Sequence, residues 1–87
     1  MAYSRIDTLP VGDGVCTINT FIEGGFIEIH VTRKFANSSA QSDICLFQHY
    51  TDTPILYRFI WGQWLKEREL VGIDLNNVTD NYLCSLV

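Results

Sequence analysis

Two alternating runs of apolar and polar residues meet at Gly24-Gly25, and this pattern constrains the fold more than any other feature. Alternation with a period of two is typical of a strand with one buried face. A pair of glycines suits the two-residue turn of a β-hairpin, because such turns need positive φ angles. The pattern therefore predicts a hairpin made of strands 15–23 and 26–35.

The register of this hairpin follows from its turn. Closing the chain at the glycines pairs Glu23 with Phe26 at the end of the ladder. One face then consists of the facing pairs Ile22–Ile27, Thr20–Ile29, Ile18–Val31 and Cys16–Arg33. The opposite face carries Thr17, Asn19, Phe21, Glu23, Phe26, Glu28, His30 and Thr32. A shift by one residue would mix these two sets, so the alternation specifies the register.

A third strand is predicted after the hairpin. The small polar stretch 36–43 is typical of a loop, and residues 44–50 alternate again. Three antiparallel strands with one apolar face need a cover, and a helix is the simplest element that supplies it.

That cover is predicted to be a helix over residues 54–71. Thr53 and Pro54 suit the N-cap and the first position of a helix. The charged run 66–69 consists of good helix formers, and Gly72 suits the position after a helix end.

Two alternatives remain open in the second half of the chain. Residues with high strand propensity also alternate, at Ile55, Tyr57, Phe59 and Trp61. In that reading a fourth strand ends near Gly62, and a short helix follows over 63–70. The C-terminal residues 82–87 fit either a short helix or a strand.

These elements together predict an α+β fold in a single domain, residues 1–87. It would be an antiparallel sheet of three to four strands packed against one helix, with a short C-terminal helix or strand. A chain of 87 residues can enclose one hydrophobic core, so a second domain is not expected.

Charge and hydropathy narrow the classes of partner. Six Lys and Arg stand against ten Asp and Glu, a net charge of −4, which opposes direct binding of nucleic acid. No stretch approaches the roughly 18 apolar residues that span a bilayer, and the N-terminus lacks the apolar region of a signal peptide. We therefore expect a cytoplasmic protein without membrane contact, in the host cytoplasm if a phage encodes it.

The residues with the most reactive side chains do not form a recognisable motif. Cys45 and His49 are four residues apart on one strand, too far to share a metal ion. Cys16 and His30 fall on opposite faces of the predicted hairpin, and Cys84 stands alone near the C-terminus. The sequence thus predicts no catalytic residue, no metal site and no cofactor, and a non-enzymatic protein.

A partner-binding surface is the remaining expectation. One helix cannot cover both faces of the hairpin, so Phe21 and Phe26 would be exposed beside Glu23 and Glu28. Exposed aromatic anchors are common in protein-binding surfaces, and acidic neighbours attract a basic partner. The candidate partner-binding residues are Phe21, Glu23, Phe26, Glu28, Asp43, Asp52, Trp61 and Trp64.

Small size and acidity resemble the general profile of small phage proteins that disarm bacterial defence, including anti-CRISPR proteins, and of toxin-immunity proteins. The profile implies an inhibitor that blocks a basic surface of a partner protein, such as a nucleic-acid-binding surface. The alternative is a homodimeric structural or assembly module without inhibitory role, joined through a strand edge or the exposed hairpin face.

Overall fold

The computed structural model describes residues 2–87, which form a six-stranded antiparallel sheet and one short helix. The strands lie side by side in their order along the chain, so each strand pairs with the next one. Their bounds are β1 Tyr3–Val11, β2 Gly14–Glu23, β3 Phe26–Lys34, β4 Gln41–His49, β5 Ile55–Ile60 and β6 Gln63–Glu69. The helix, α1, spans Asp80–Ser85.

The predicted hairpin is confirmed as β2 and β3, and so is its register. Glu23 pairs with Phe26, Thr20 with Ile29 and Cys16 with Arg33. Gly24 and Gly25 form the turn with φ angles of 56° and 78°. Glycine adopts this region without steric cost, which explains why the chain reverses at these two residues.

The third predicted strand, 44–50, is confirmed as β4, although β4 begins earlier, at Gln41, and ends at His49. The predicted loop 36–43 is correspondingly shorter. Tyr50 leaves the ladder with a φ of 54°, and its backbone N–H donates a 2.6 Å hydrogen bond to the carbonyl of Gly25.

The predicted helix over 54–71 is wrong, because this segment forms the hairpin of β5 and β6. The alternative strand ending near Gly62 is confirmed as β5, but the short helix over 63–70 is absent, since those residues mostly belong to β6. Pairing with β5 overrides the helix propensity of 66–69. The carbonyl of Pro54 accepts a 2.8 Å hydrogen bond from Leu70 and closes the ladder instead of starting a helix.

Strand β1 was not predicted, and the α+β class is therefore wrong. Within residues 2–87 the fold is nearly all β, and its one helix has six residues. β1 lies at the edge of the sheet, where Pro10 is tolerated because no strand pairs with its outer side. Only Leu9 and Val11 of this strand pack against the core, so its apolar alternation is weak.

The C-terminal residues 70–87 cover one face of the sheet. This segment contributes four buried side chains to the core, Leu70, Leu75, Leu83 and Cys84. They pack on a sheet face made of Cys16, Ile18, Ile27, Ile29, Val31, Ile44, Leu46 and Leu56. The predicted cover thus exists, but it is an irregular segment with one short helix.

Helix α1 confirms one of the two expectations for the C-terminus. Thr79 is its N-cap, and the Thr79 hydroxyl accepts a 3.1 Å hydrogen bond from the backbone N–H of Tyr82. The helix packs against β2 and β3. Among the described residues, no helix has the length and apolar character that crossing a bilayer requires.

Candidate binding face

The two faces of the sheet differ because the C-terminal segment covers only one of them. We call the other one the open face. It carries the side chains of Thr17, Asn19, Phe21, Glu23, Phe26, Glu28, His30, Thr32, Lys34, Asp43, Cys45, Phe47, His49, Tyr57, Phe59, Trp64, Lys66 and Glu69. Alternation along β2 to β5 places them there, and β6 continues it across a bulge opposite Leu56 and Tyr57.

Aromatic rings form two clusters of contacting pairs on the open face, which together we call the aromatic belt. Phe26 lies 5.6 Å from Phe47 between ring centroids, and Phe47 lies 5.7 Å from Tyr57. Phe59 and Trp64 are 5.1 Å apart at the far end. These distances are those of favourable aromatic pairs, so the belt holds its rings in place while one side stays exposed to solvent.

His30 connects the belt to β2. Its ring lies 6.4 Å from that of Phe21 and 6.1 Å from that of Trp64, in both cases nearly perpendicular. Phe21 and Trp64 remain 42% and 43% exposed. Aromatic side chains of this size are usually buried in a small protein, so their exposure makes the open face a candidate contact surface.

The charges of the open face are mainly negative. Four carboxylates lie on it, at Glu23, Glu28, Asp43 and Glu69, against two ammonium groups, at Lys34 and Lys66. Three of the arginines, Arg5, Arg33 and Arg58, belong to the covered face. Four carboxylates and two ammonium groups give the open face a net charge of −2, which is half of the net charge of −4 of the chain.

Three side chains with donor atoms converge in the middle of this face. Sγ of Cys45 lies 3.6 Å from Nε2 of His30, and Oε1 of Glu28 lies 3.4 Å from the same nitrogen. The three donor atoms all lie within 4.8 Å of one another. They line a hollow of about 350 Å³ whose walls are completed by Phe47, Tyr57 and Trp64.

Cys45 forms the floor of that hollow and is only 3% exposed. Burial, together with the negative charge of Glu28, raises the pKa of the Cys45 thiol to about 12. The thiol is therefore protonated at neutral pH when no cation is beside it, and a protonated thiol is a poor nucleophile.

The turn between β5 and β6 presents the most exposed aromatic residue. Trp61 is 93% exposed and has a φ of 55°, and Gly62 follows with a φ of 78°. A left-handed conformation costs a non-glycine residue roughly 1–2 kcal/mol. Ile60 and Leu65 beside the turn are also exposed, so the hairpin tip is apolar on both sides.

The structure brings most of the predicted binding residues together. Six of them lie on the open face: Phe21, Glu23, Phe26, Glu28, Asp43 and Trp64. Trp61 lies at the hairpin tip, and Asp52 lies in the loop after β4, with Oδ2 3.9 Å from Nδ1 of His49.

The structure contains a cysteine–histidine pair that the sequence patterns did not indicate. Cys16 and His30 do lie on opposite faces, but Cys45 is the direct cross-strand partner of His30. Matching the apolar residues Ile44 and Leu46 of β4 to those of β3 would have revealed this pair. The loop between β3 and β4 hides this register, because the turn of the β2–β3 hairpin specifies only its own two strands.

Tyr57 and Phe59 were seen in the sequence but assigned to a helix. Their place on the open face depends on β5, which continues the alternation of β4. Comparisons of the chain with protein families, with curated proteins and with solved structures found no match, so the open face itself is the basis for assigning a function.

Proposed function

We propose that the chain is a small non-enzymatic protein-binding module whose open face docks on a basic surface of a partner protein and blocks it. The observation that carries the proposal is the exposed aromatic belt with carboxylates at Glu23, Glu28 and Asp43 around it. Aromatic residues supply contact area, and the carboxylates select the sign of the partner's charge.

The rigidity of the face supports this proposal. Each aromatic side chain projects from a paired strand and touches another ring, as Phe26 does with Phe47. A preorganised surface loses little conformational entropy on binding, so more of the contact energy appears as affinity. The belt also extends toward the hairpin tip, where Trp61 provides an additional anchor.

Charge favours a protein over a nucleic acid as the occupant. Exposed Phe21 and His30 could stack on bases, but nucleic-acid binding also needs Lys and Arg near the phosphates. The open face has two lysines against four carboxylates, and it would repel a phosphate backbone. The same carboxylates would occupy a site on the partner that normally receives phosphates, which is how the module would inhibit.

The state of the cysteines supports a non-catalytic role for the chain. It also supports a reducing compartment such as the cytoplasm. Cys16, Cys45 and Cys84 are all free thiols and all buried. The elevated pKa of Cys45 keeps that thiol protonated in the chain alone.

The alternative is a homodimer formed through strand β6. Its outer edge is unpaired, and all seven of its residues are exposed. The charged run Lys66, Glu67, Arg68 and Glu69 keeps this edge hydrated, which adds a desolvation cost to pairing of two such edges. Sedimentation of the purified chain separates the two proposals, because a chain that stays monomeric at high concentration excludes the homodimer.

The test is a comparative capture experiment on an extract of the cells in which the chain is made. Immobilised wild-type chain and three variants are used: Phe21→Ala, Glu23→Lys and the control Asp13→Lys. Asp13 is an exposed carboxylate in the turn between β1 and β2, so its reversal changes the net charge equally. We expect one basic protein to be retained by wild type and Asp13→Lys.

The captured protein is then purified and titrated. Glu23→Lys should weaken binding at least about tenfold, because it sets like charges against each other. Phe21→Ala should weaken it by about thirtyfold if Phe21 is an anchor. Heparin, a polyanion, should compete with the chain. Unchanged affinity in both open-face variants, with circular dichroism showing them folded, would overturn the proposal.

A further inference from the structure

We infer that Glu28, His30 and Cys45 form a zinc-binding site in the middle of the open face. The inference goes beyond the protein-binding role and does not depend on it. It stands on the convergence of three donor atoms from two adjacent strands on one point above the sheet.

Two of the three donor-atom distances match the edges of a zinc tetrahedron, and the third, between Cys45 Sγ and the Glu28 carboxylate, is within 4.8 Å. Zinc bonds of about 2.3 Å to sulfur and about 2.0 Å to nitrogen or oxygen give edges of about 3.5 Å for S···N and about 3.3 Å for N···O. The corresponding distances are 3.6 Å between Cys45 Sγ and His30 Nε2, and 3.4 Å between Nε2 and Glu28 Oε1.

A hydrogen-bonded relay explains the geometry less well. In a catalytic Cys–His–carboxylate triad, the thiol and the carboxylate contact opposite nitrogens of the imidazole. Here both approach the same nitrogen, Nε2 of His30. The 3.4 Å contact is also longer than the usual range of about 2.7–3.2 Å for an N–H···O hydrogen bond. A shared cation, bound between the three atoms, accounts for both features.

The donor set selects the metal. One thiolate, one imidazole and one carboxylate form a mixed set that suits zinc, whereas magnesium and calcium prefer oxygen ligands alone. The hollow beside the three atoms leaves room for water as the fourth ligand. Zinc would displace the thiol proton, so binding releases a proton.

The surroundings hold the ligands in this arrangement. The ring of His30 packs against the rings of Phe21 and Trp64, and these contacts limit its rotation. Cys45 and His30 are cross-strand partners, so the sheet fixes the separation of their backbones. A site whose ligands are already placed binds its metal without the cost of ordering them.

Cobalt(II) titration of the reduced, metal-free chain tests the inference without any partner. Cobalt takes the place of zinc and is visible spectroscopically. We expect one equivalent to produce thiolate-to-cobalt charge-transfer absorption and the intense visible bands of four-coordinate cobalt. Added zinc should then remove both signals.

Variants of each ligand sharpen the test. His30→Ala, Cys45→Ala and Glu28→Gln should each weaken binding at least about a hundredfold, since loss of an outer-shell partner alone costs up to that amount. Each has a matched control with the same change elsewhere: His49→Ala, Cys16→Ala and Glu23→Gln should retain the wild-type titration.

Two results would overturn the zinc site. One is a wild-type chain that gives no charge-transfer band with cobalt. The other is a band that persists in folded His30→Ala or in Cys45→Ala. Because Cys45 is buried, circular dichroism is recorded for each variant, and the half-buried His30 decides the question if Cys45→Ala unfolds.

Discussion

The side-chain oxygen of Gln48 accepts a 2.8 Å hydrogen bond from the backbone N–H of Leu75, which joins strand β4 to the segment that covers the core. Gln48 is 8% exposed, and its side-chain N–H donates a 3.2 Å hydrogen bond to the carbonyl of Asp52. This amide fixes the C-terminal segment on one face of the sheet. The other face stays available as the open face.

We expect Gln48→Ala to lower the free energy of unfolding by about 1–3 kcal/mol, because it leaves the buried N–H of Leu75 without a partner. Urea unfolding followed by circular dichroism measures the change. Gln41→Ala, at an exposed site, should change stability by no more than about 0.5 kcal/mol. Equal effects of the two substitutions would show that the Gln48 bond does not anchor the segment.

Thr20→Val should stabilise the chain by about 1 kcal/mol. Thr20 is 6% exposed, and its hydroxyl has no hydrogen-bond partner among residues 2–87. A methyl group of the same shape removes that desolvation cost. Thr17→Val, on the open face of the same strand, should have little effect. A lower melting temperature for Thr20→Val contradicts this expectation.

The ion pair of Arg58 and Glu67 makes stability depend on pH at acidic values. Their Nε and Oε1 atoms are 2.6 Å apart, and this hydrogen bond lowers the pKa of Glu67 in the folded chain. The folded state therefore binds this proton less readily than the unfolded state. The stabilisation is present above the ordinary glutamate pKa of about 4.3 and is lost as pH falls below it.

Glu67→Gln should thus cost no more than about 1 kcal/mol at pH 7 and flatten the acidic limb of the stability curve. Glu69→Gln is the control, since Glu69 lies 3.5 Å from the exposed amino group of Lys66. Urea midpoints measured across the acidic range provide the comparison. An acidic limb as steep in Glu67→Gln as in wild type would contradict this assignment.

Trp61→Asn should raise stability while weakening partner binding. Asparagine tolerates the left-handed conformation at this position, and Asn-Gly is a favoured two-residue hairpin turn. The indole is 93% exposed, so little buried surface is lost. We expect a gain of about 1 kcal/mol in urea unfolding. A loss of stability would show that the left-handed conformation of Trp61 does not destabilise the chain. Unchanged partner binding by Trp61→Asn would show that the indole is not an anchor.

The hairpin of β2 and β3 was predictable because the residues that determine it are close together in the sequence. The turn glycines and the alternation around them specify each pair, including Ile18 with Val31. Segment 54–71 was mistaken for a helix because Pro54 and the charged residues 66–69 have helix preferences. The partner strands that decide the outcome lie elsewhere in the chain.

The centre of the candidate site was missed for the same reason. Glu28 and His30 lie on β3 and Cys45 on β4, and they meet only when the register of these two strands is known. The spacing of these residues along the chain does not indicate the contact, because a loop separates Glu28 and His30 from Cys45. The exposed Phe21, in contrast, was predictable from an apolar surplus on the second face of the hairpin, whereas the exposed Phe59 depended on β5.

The central claim is that the open face, and not the covered face, contacts a basic partner. The chain has two tryptophans, so its proton–nitrogen NMR spectrum contains two indole signals, from Trp61 and Trp64. We predict that the Trp64 signal shifts on addition of the captured partner, while the backbone signals of Tyr82 and Leu83 in α1 remain unchanged. Unchanged indole signals with shifted α1 signals at saturation would contradict the account.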